Sequence, residues 1–163
     1  VPLVLKPQVY RFGFDENDIS ANVRGIIEAQ VLSMRLHSRW IAEHPQQIYA
    51  TGGASANKEI LQIIANVFGV NVKKFDIPDS AALGAAMRAA KSYYTPEEPK
   101  LSWEDVAMKF VDKHTINIIH PNMDLHEMYN DLLLLYEKCE DFVLRNKEDP
   151  EPLRKEFMVK YFE

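Results

Sequence analysis

The residues with the most chemical potential run from Ile48 to Asn57, reading Ile-Tyr-Ala-Thr-Gly-Gly-Ala-Ser-Ala-Asn. An apolar run from Gln47 to Ala50 reads as a strand, Gly52 and Gly53 end it, and a helix follows at once. Glycine has no Cβ, so the chain can turn sharply there and a ligand can come close to the backbone. The start of a helix offers unpaired N–H groups and the positive end of its dipole. Together these make an anion site suited to phosphate. Ser55 and Asn57 add short polar side chains that suit either ligand binding or helix capping. A tight turn capped by Ser55 or Asn57 accounts for the same residues without any ligand. The segment is neither a P-loop, since Gly-Lys-Ser/Thr is absent, nor a Gly-x-Gly-x-x-Gly dinucleotide fingerprint.

Two further segments carry small residues where helices are expected. Asp79-Ser-Ala-Ala-Leu-Gly-Ala-Ala86 places Gly84 inside a helix, at a cost of about 1 kcal/mol against alanine. Tight packing of that helix on a sheet is the expected compensation. Arg24-Gly-Ile-Ile-Glu-Ala-Gln30 puts Arg24 and Glu28 four residues apart, a spacing that pairs charges on a helix surface. Gln30 falls near the apolar face and would need a hydrogen-bond partner there.

The positioning elements follow from periodicity. A helix is expected from about Asp18 to Ala42, capped by Asp18 or Ser20, with Ile19, Val23, Ile26, Ile27, Val31 and Met34 on one face. After the Gly-Gly turn, Asn57 to Phe68 reads as a helix and Gly69 suits the left-handed position past its end. Val70 to Phe75 reads as a second strand, Pro78-Asp79 as a turn, and Ser80 to Tyr94 as an alanine-rich helix. Two strands joined through a helix are expected to be parallel, in an α/β sheet. Pro96 and Pro99 mark a candidate boundary, dividing residues 1–95 from a helical extension, 96–163, expected to pack on the same domain. In that extension Ser102-x-x-Asp105 is a capping box. Asp124-x-x-Glu127 opens a helix whose stripe is Leu125, Met128, Tyr129, Leu132, Leu133, Tyr136, Cys139 and Val143.

Composition narrows the possibilities. Apolar residues make up 47% and charged residues 26% of 163, enough for one sizeable core. The net charge of −5 and the pI near 5.6 argue against nucleic acid or an anionic membrane surface as partner. No stretch reaches about 18 consecutive apolar residues, so no membrane span is expected, and the cytosol is the expected setting. The lone Cys139 lies among Leu132, Leu133, Tyr136 and Phe142 and reads as a small core residue. His37, His44, His114, His120 and His126 are scattered, and no metal site is expected. Trp40 and Trp103 read as packing residues. The chain opens on Val1 without a signal sequence or Met and is expected to begin inside a longer protein.

Taken in register, Arg24–Gln30, Ala50–Asn57 and Asp79–Ala86 resemble the C-terminal domain of the FGGY carbohydrate kinases, particularly xylulokinases of the eukaryotic type. The similarity runs from about Asn17 to Tyr94 and thins beyond, where the spacing of Pro121 and Tyr129 still fits. The resemblance implies part of an actin-like, ribonuclease-H-like ATPase fold with additional C-terminal helices. It implies that Gly52 and Gly53 meet ATP through their backbone, that Ala54 and Ser55 line the turn, and that Asn57 sits near adenine or ribose. The Ser80–Ala90 helix would pack behind the site. The implied chemistry is transfer of a phosphoryl group from MgATP to a sugar hydroxyl, D-xylulose first among the candidates. The family's catalytic aspartate, its first phosphate loop and the Gly-Thr-Ser stretch opening its C-terminal domain have no counterpart in these residues. The resemblance therefore places the sugar and the base on an N-terminal domain and leaves this chain alone inactive. Another ketose or polyol, a nucleotide-binding regulatory module, or a helical interaction module around 102–162 remains open.

Overall fold

The computed structural model describes residues 9, 11–41, 45–74, 79–94, 102–110, 117–145 and 147–163. The expected boundary at Pro96 and Pro99, the strand residue Phe75, Pro78, His44 and His114 lie outside the described residues.

Helix α1 spans Ile19–His37, and the Asp18 carboxylate accepts from Ala21 N–H at 3.0 Å, which resolves the choice of cap. Strand β1 is Ile48–Ala50, followed by a 3₁₀ turn, Gly53–Ala56, and helix α2, Lys58–Phe68. Asn57 caps α2, its Oδ1 accepting from Glu59 and Ile60 N–H. Gly69 closes α2 at φ 68°, ψ 25°, the left-handed conformation expected of it. Strand β2, Val72–Lys74, runs parallel to β1 with Ile48 opposite Val72 and Ala50 opposite Lys74. Helix α3 is Ser80–Tyr94 and α4 is Trp103–Phe110. The capping box forms: Ser102 N–H donates to Asp105 Oδ2 at 2.9 Å and Asp105 N–H to Ser102 Oγ at 3.1 Å.

A third strand, β3 (Asn117–Ile119), was not expected; it pairs antiparallel with β2, giving the order β1-β2-β3. Thr115-Ile-Asn-Ile-Ile119 does hold the β-branched signal, but in only a few residues. Helix α5 is Met123–Arg145 and α6 is Glu151–Phe162. Asn122, not Asp124, caps α5, accepting from Asp124 and Leu125 N–H.

Helix α2 joins two cores. One face packs Leu61 and Ala65 on Val72, with Ile48, Ala50 and Ile119 around them. The other brings Val67 against Val31 and Leu32 of α1 and Tyr129 and Leu133 of α5. Polar contacts peg α2 along its length. Buried Asn66 accepts from Asn122 N–H at 2.8 Å and from Gln62 at 2.9 Å, and Gln62 also donates to His120 O. Arg35 of α1 donates to the Val67 carbonyl at 2.6 Å and to Asn130 of α5 at 2.7 Å, so a cation serves a carbonyl of the last turn of α2.

The expected stripe of α1 is corrected by this packing. Val31 and Leu32 are buried, whereas Ile19 is 74% exposed and Val23, Ile26 and Met34 are also exposed. The neighbours, α2 and α5, cover the flank that bears Val31 and Leu32, and among the described residues nothing covers the rest. Gln30 is exposed rather than buried, and Trp40 is 84% exposed rather than packed. In α5, Tyr129 and Leu133 are buried as the stripe requires; Leu135 joins them unforeseen, and Val143 is exposed. Cys139 is half-buried, and burial pushes its thiol up, in keeping with an inert core residue.

The Arg24–Glu28 pair forms at 2.9 Å, with a third member. Tyr129, fully buried, donates its hydroxyl to the same Glu28 oxygen at 2.6 Å and so ties α5 to α1. Burial, reinforced by that bond, pushes the Tyr129 phenol from its ordinary 10.0 to about 12. The native state thus favours the protonated phenol. Its stabilisation is complete below the unfolded value and is lost as pH rises toward the folded one. Replacing Tyr129 by Phe should cost about 1–3 kcal/mol at neutral pH. In denaturant titrations that difference should shrink between about pH 10 and 12; a difference flat with pH would mean that another group governs it.

Candidate functional site

Because β1 and β2 are parallel, both strands end on the same edge of the sheet, and the Gly-Gly turn leaves β1 there. Gly52 leads into the turn at φ 84°, ψ −175°, a conformation that L side chains rarely adopt. Gly53 opens the 3₁₀ turn, and a Cβ built on either glycine meets nothing within 4 Å. The approach to the backbone is therefore open. Ala54 and Asn57 are exposed, and Asn57 spends its oxygen on the cap of α2. Ser55 is only 6% exposed and its hydroxyl turns inward, donating to the Gly52 carbonyl at 2.7 Å.

The second segment reaches the same edge. Ser80, the first residue of α3, donates its hydroxyl to Thr51 Oγ1 at 3.1 Å. The start of α3 therefore lies beside the Gly-Gly turn, whereas α2 does not follow the glycines at once as expected: the 3₁₀ turn intervenes, and Asn57 caps the first N–H groups of α2. Hydroxyls at Thr51 and Ser80, an amide at Asn57 and backbone N–H groups suit phosphate or ribose oxygens rather than a metal. Among the described residues no group of three or more His, Cys, Asp or Glu could hold a metal ion.

Tight packing of α3 on the sheet is not what the structure shows. No residue of α3 is buried, and Gly84 is exposed with open space around it. Helix α3 instead packs on α4, where Lys91 Nζ lies 4.7 Å from the centre of the half-exposed Trp103 ring. Only its first turn touches the site. Arg24–Gln30 is engaged with α5 through Glu28. Sequence reasoning missed an apolar cavity of about 540 Å³ behind the turn, where Ile48 and Ala50 face Ile60 and Ile64 of α2 and Met34 and Ile41 beyond α1's core. Alternating Ile48 and Ala50 was its one visible signal.

Comparisons with known proteins bear on the family and the fold. The FGGY family of carbohydrate kinases, C-terminal domain, matches residues 12–93. The chain belongs to that family. Xylulose kinase 2 of Arabidopsis thaliana is 48% identical over 80 residues, covering 48% of this chain and 14% of the plant protein. A crystal structure of xylulose kinase from Rhodospirillum rubrum superposes with a TM-score of 0.60 at 22% identity, covering 81% of this chain and 26% of that one. Gluconate kinase from Lactobacillus acidophilus superposes with the same score at 21% identity, over 76% and 25%. The fold is thus that of the FGGY kinases, the actin-like ATPase fold expected from the sequence. The chain spans about a seventh to a quarter of the length of these relatives. No helix among the described residues is long and apolar enough to cross a membrane.

The two motif glycines should respond in opposite ways. Gly52→Ala forces a side chain into a positive φ and should destabilise the fold by about 1 kcal/mol or more. Gly84→Ala, in an exposed helix interior with space for the methyl, should stabilise it by up to about 1 kcal/mol. Thermal or urea unfolding of both variants checks the pair, and a loss at Gly84 would reveal close packing there.

Proposed function

We propose that this chain is the nucleotide-holding part of an ATP-dependent sugar kinase that converts D-xylulose to D-xylulose 5-phosphate in the cytosol. The observation that carries the reading is the open Gly52-Gly53 turn, which begins a 3₁₀ turn beside the start of α3, within a chain of this family. The named relatives favour xylulose as substrate. Residues 1–95 form the nucleotide-binding unit, and 96–163 support it through α5.

In this reading Gly52 and Gly53 meet the phosphates through their backbone. Ala54 and Ser55 line the turn, and Asn57 offers its amide nitrogen to ribose or base. Mg²⁺ travels with the triphosphate, since its phosphate oxygens supply ligands that these residues do not. A catalytic base and the sugar contacts belong to an N-terminal domain outside these 163 residues, so no residue here is catalytic and this chain alone does not turn over. Phosphoryl transfer draws mainly on positioning and charge stabilisation, which a rigid turn on a sheet edge can provide. The gluconate kinase likeness keeps a kinase of another sugar or polyol as the second reading.

Calorimetry with MgADP, followed by assay of ATP turnover on D-xylulose, other ketoses and gluconate, tests both. In the intact protein, Gly53→Val should weaken nucleotide binding by about tenfold or more while leaving the KM for sugar nearly unchanged. Unchanged nucleotide affinity would make the turn structural, and turnover on gluconate alone would replace xylulose.

A further inference from the structure

Ser55 and Asn66 are the buried polar side chains among the described residues. Asn66 pegs α2, but Ser55 lies between exposed Ala54 and Ala56 on a turn open to solvent. Its hydroxyl and its own N–H donate to one acceptor, the Gly52 carbonyl, at 2.7 and 3.1 Å. The backbone bond alone would satisfy that oxygen, so the hydroxyl is a second hold on the same group.

The peptide concerned joins Gly52 to Gly53. With a glycine on each side, no Cβ resists rotation of its plane. It is trans, so its N–H points opposite to its C=O. Drawing the carbonyl inward against Ser55 therefore aims the Gly53 N–H outward, where it has no partner among the described residues. We infer that Ser55 is a positioning residue: it locks the Gly52–Gly53 peptide so that the Gly53 N–H is presented to a phosphate oxygen of the bound nucleotide. This deepens the nucleotide reading and rests on it. Ser55 then acts through the backbone, and its hydroxyl does not touch the ligand.

The test measures the Kd for MgADP and the KM values for ATP and sugar in the intact protein. Ser55→Ala should weaken nucleotide binding by about 5- to 20-fold, as expected for one misaimed hydrogen bond to a charged group, with sugar KM within about twofold. Ser55→Thr, which keeps the hydroxyl, should restore it. Gly53→Pro deletes the N–H itself, and proline is tolerated at a first helical position. It should weaken binding at least as much, and the double variant should be no worse than Gly53→Pro alone. Losses that multiply in the double variant, or a Thr variant as impaired as Ala, would overturn the inference. So would a silent Ser55→Ala beside an impaired Gly53→Pro, which would leave the nucleotide reading standing. Two silent variants would overturn both. If Ser55→Ala does not fold, Ser55→Cys, with a weaker donor, takes its place.

Discussion

Parallel pairing of β1 with β2 places Ile48 beside Val72 and Ala50 beside Lys74, and the geometry of the site follows from it. Parallel strands need a crossover, which α2 supplies, and both strands then finish on one edge. The Gly-Gly turn leaving β1 and the helix that follows β2 are neighbours for that reason, and the Ser80–Thr51 contact is the result. Three-residue strands cannot hold such a register by backbone bonds alone. The side chains beneath do it: Leu61 and Ala65 of α2 lie on Val72, each at most 1% exposed.

The parts of this arrangement that were legible in the sequence are local. Asn57 and Gly69 at the ends of α2, the Ser102–Asp105 box and the Arg24–Glu28 pair each depend on residues within four positions, and all form as expected. The order strand, turn, helix, strand, helix is also visible, because Gly52, Gly53 and Gly69 punctuate it and the helices have their own period. What periodicity cannot give is which neighbour covers a face. Ile19, Val23, Ile26 and Met34 share one side of α1, yet α2 and α5 cover the side of Val31 and Leu32. The same gap explains Gly84, whose small size was read as close packing on a sheet and meets open space.

At the candidate site the residue types were legible and their roles were divided by geometry. Gly52 and Gly53 stand open as expected. Ser55 and Asn57 offered two uses each, ligand or cap, and the structure commits both oxygens to backbone groups. Such commitments turn on a single rotamer and are invisible in spacing. Strand β3 escaped for a different reason: it is as short as β1 and β2 but lacks the neighbouring glycines, Gly52 and Gly69, that frame those two in the sequence, and pairing with Val72–Lys74 makes it a strand.

The dependence of the turn on distant residues runs through α2. The family match ends at residue 93, yet Tyr129 and Leu133, which lie beyond it, complete the core around Val31, Leu32 and Val67. The imidazole of His126 bonds to the Asn66 carbonyl at 2.9 Å and packs on Gly69 so closely that a Cβ there would fall 2.5 Å from the ring. Helix α5 thus fixes the C-terminal end of α2, while Asn57 and the 3₁₀ turn fix its start. A helix of 11 residues clamped at both ends transmits a displacement at one end to the other, because its interior is packed too densely to absorb it. Loss of α5 would therefore leave the strands their pairing partners but free the helix whose start shapes the Gly-Gly turn. The extension reaches α2 by packing and by the hydrogen bonds of His120, Asn122 and His126.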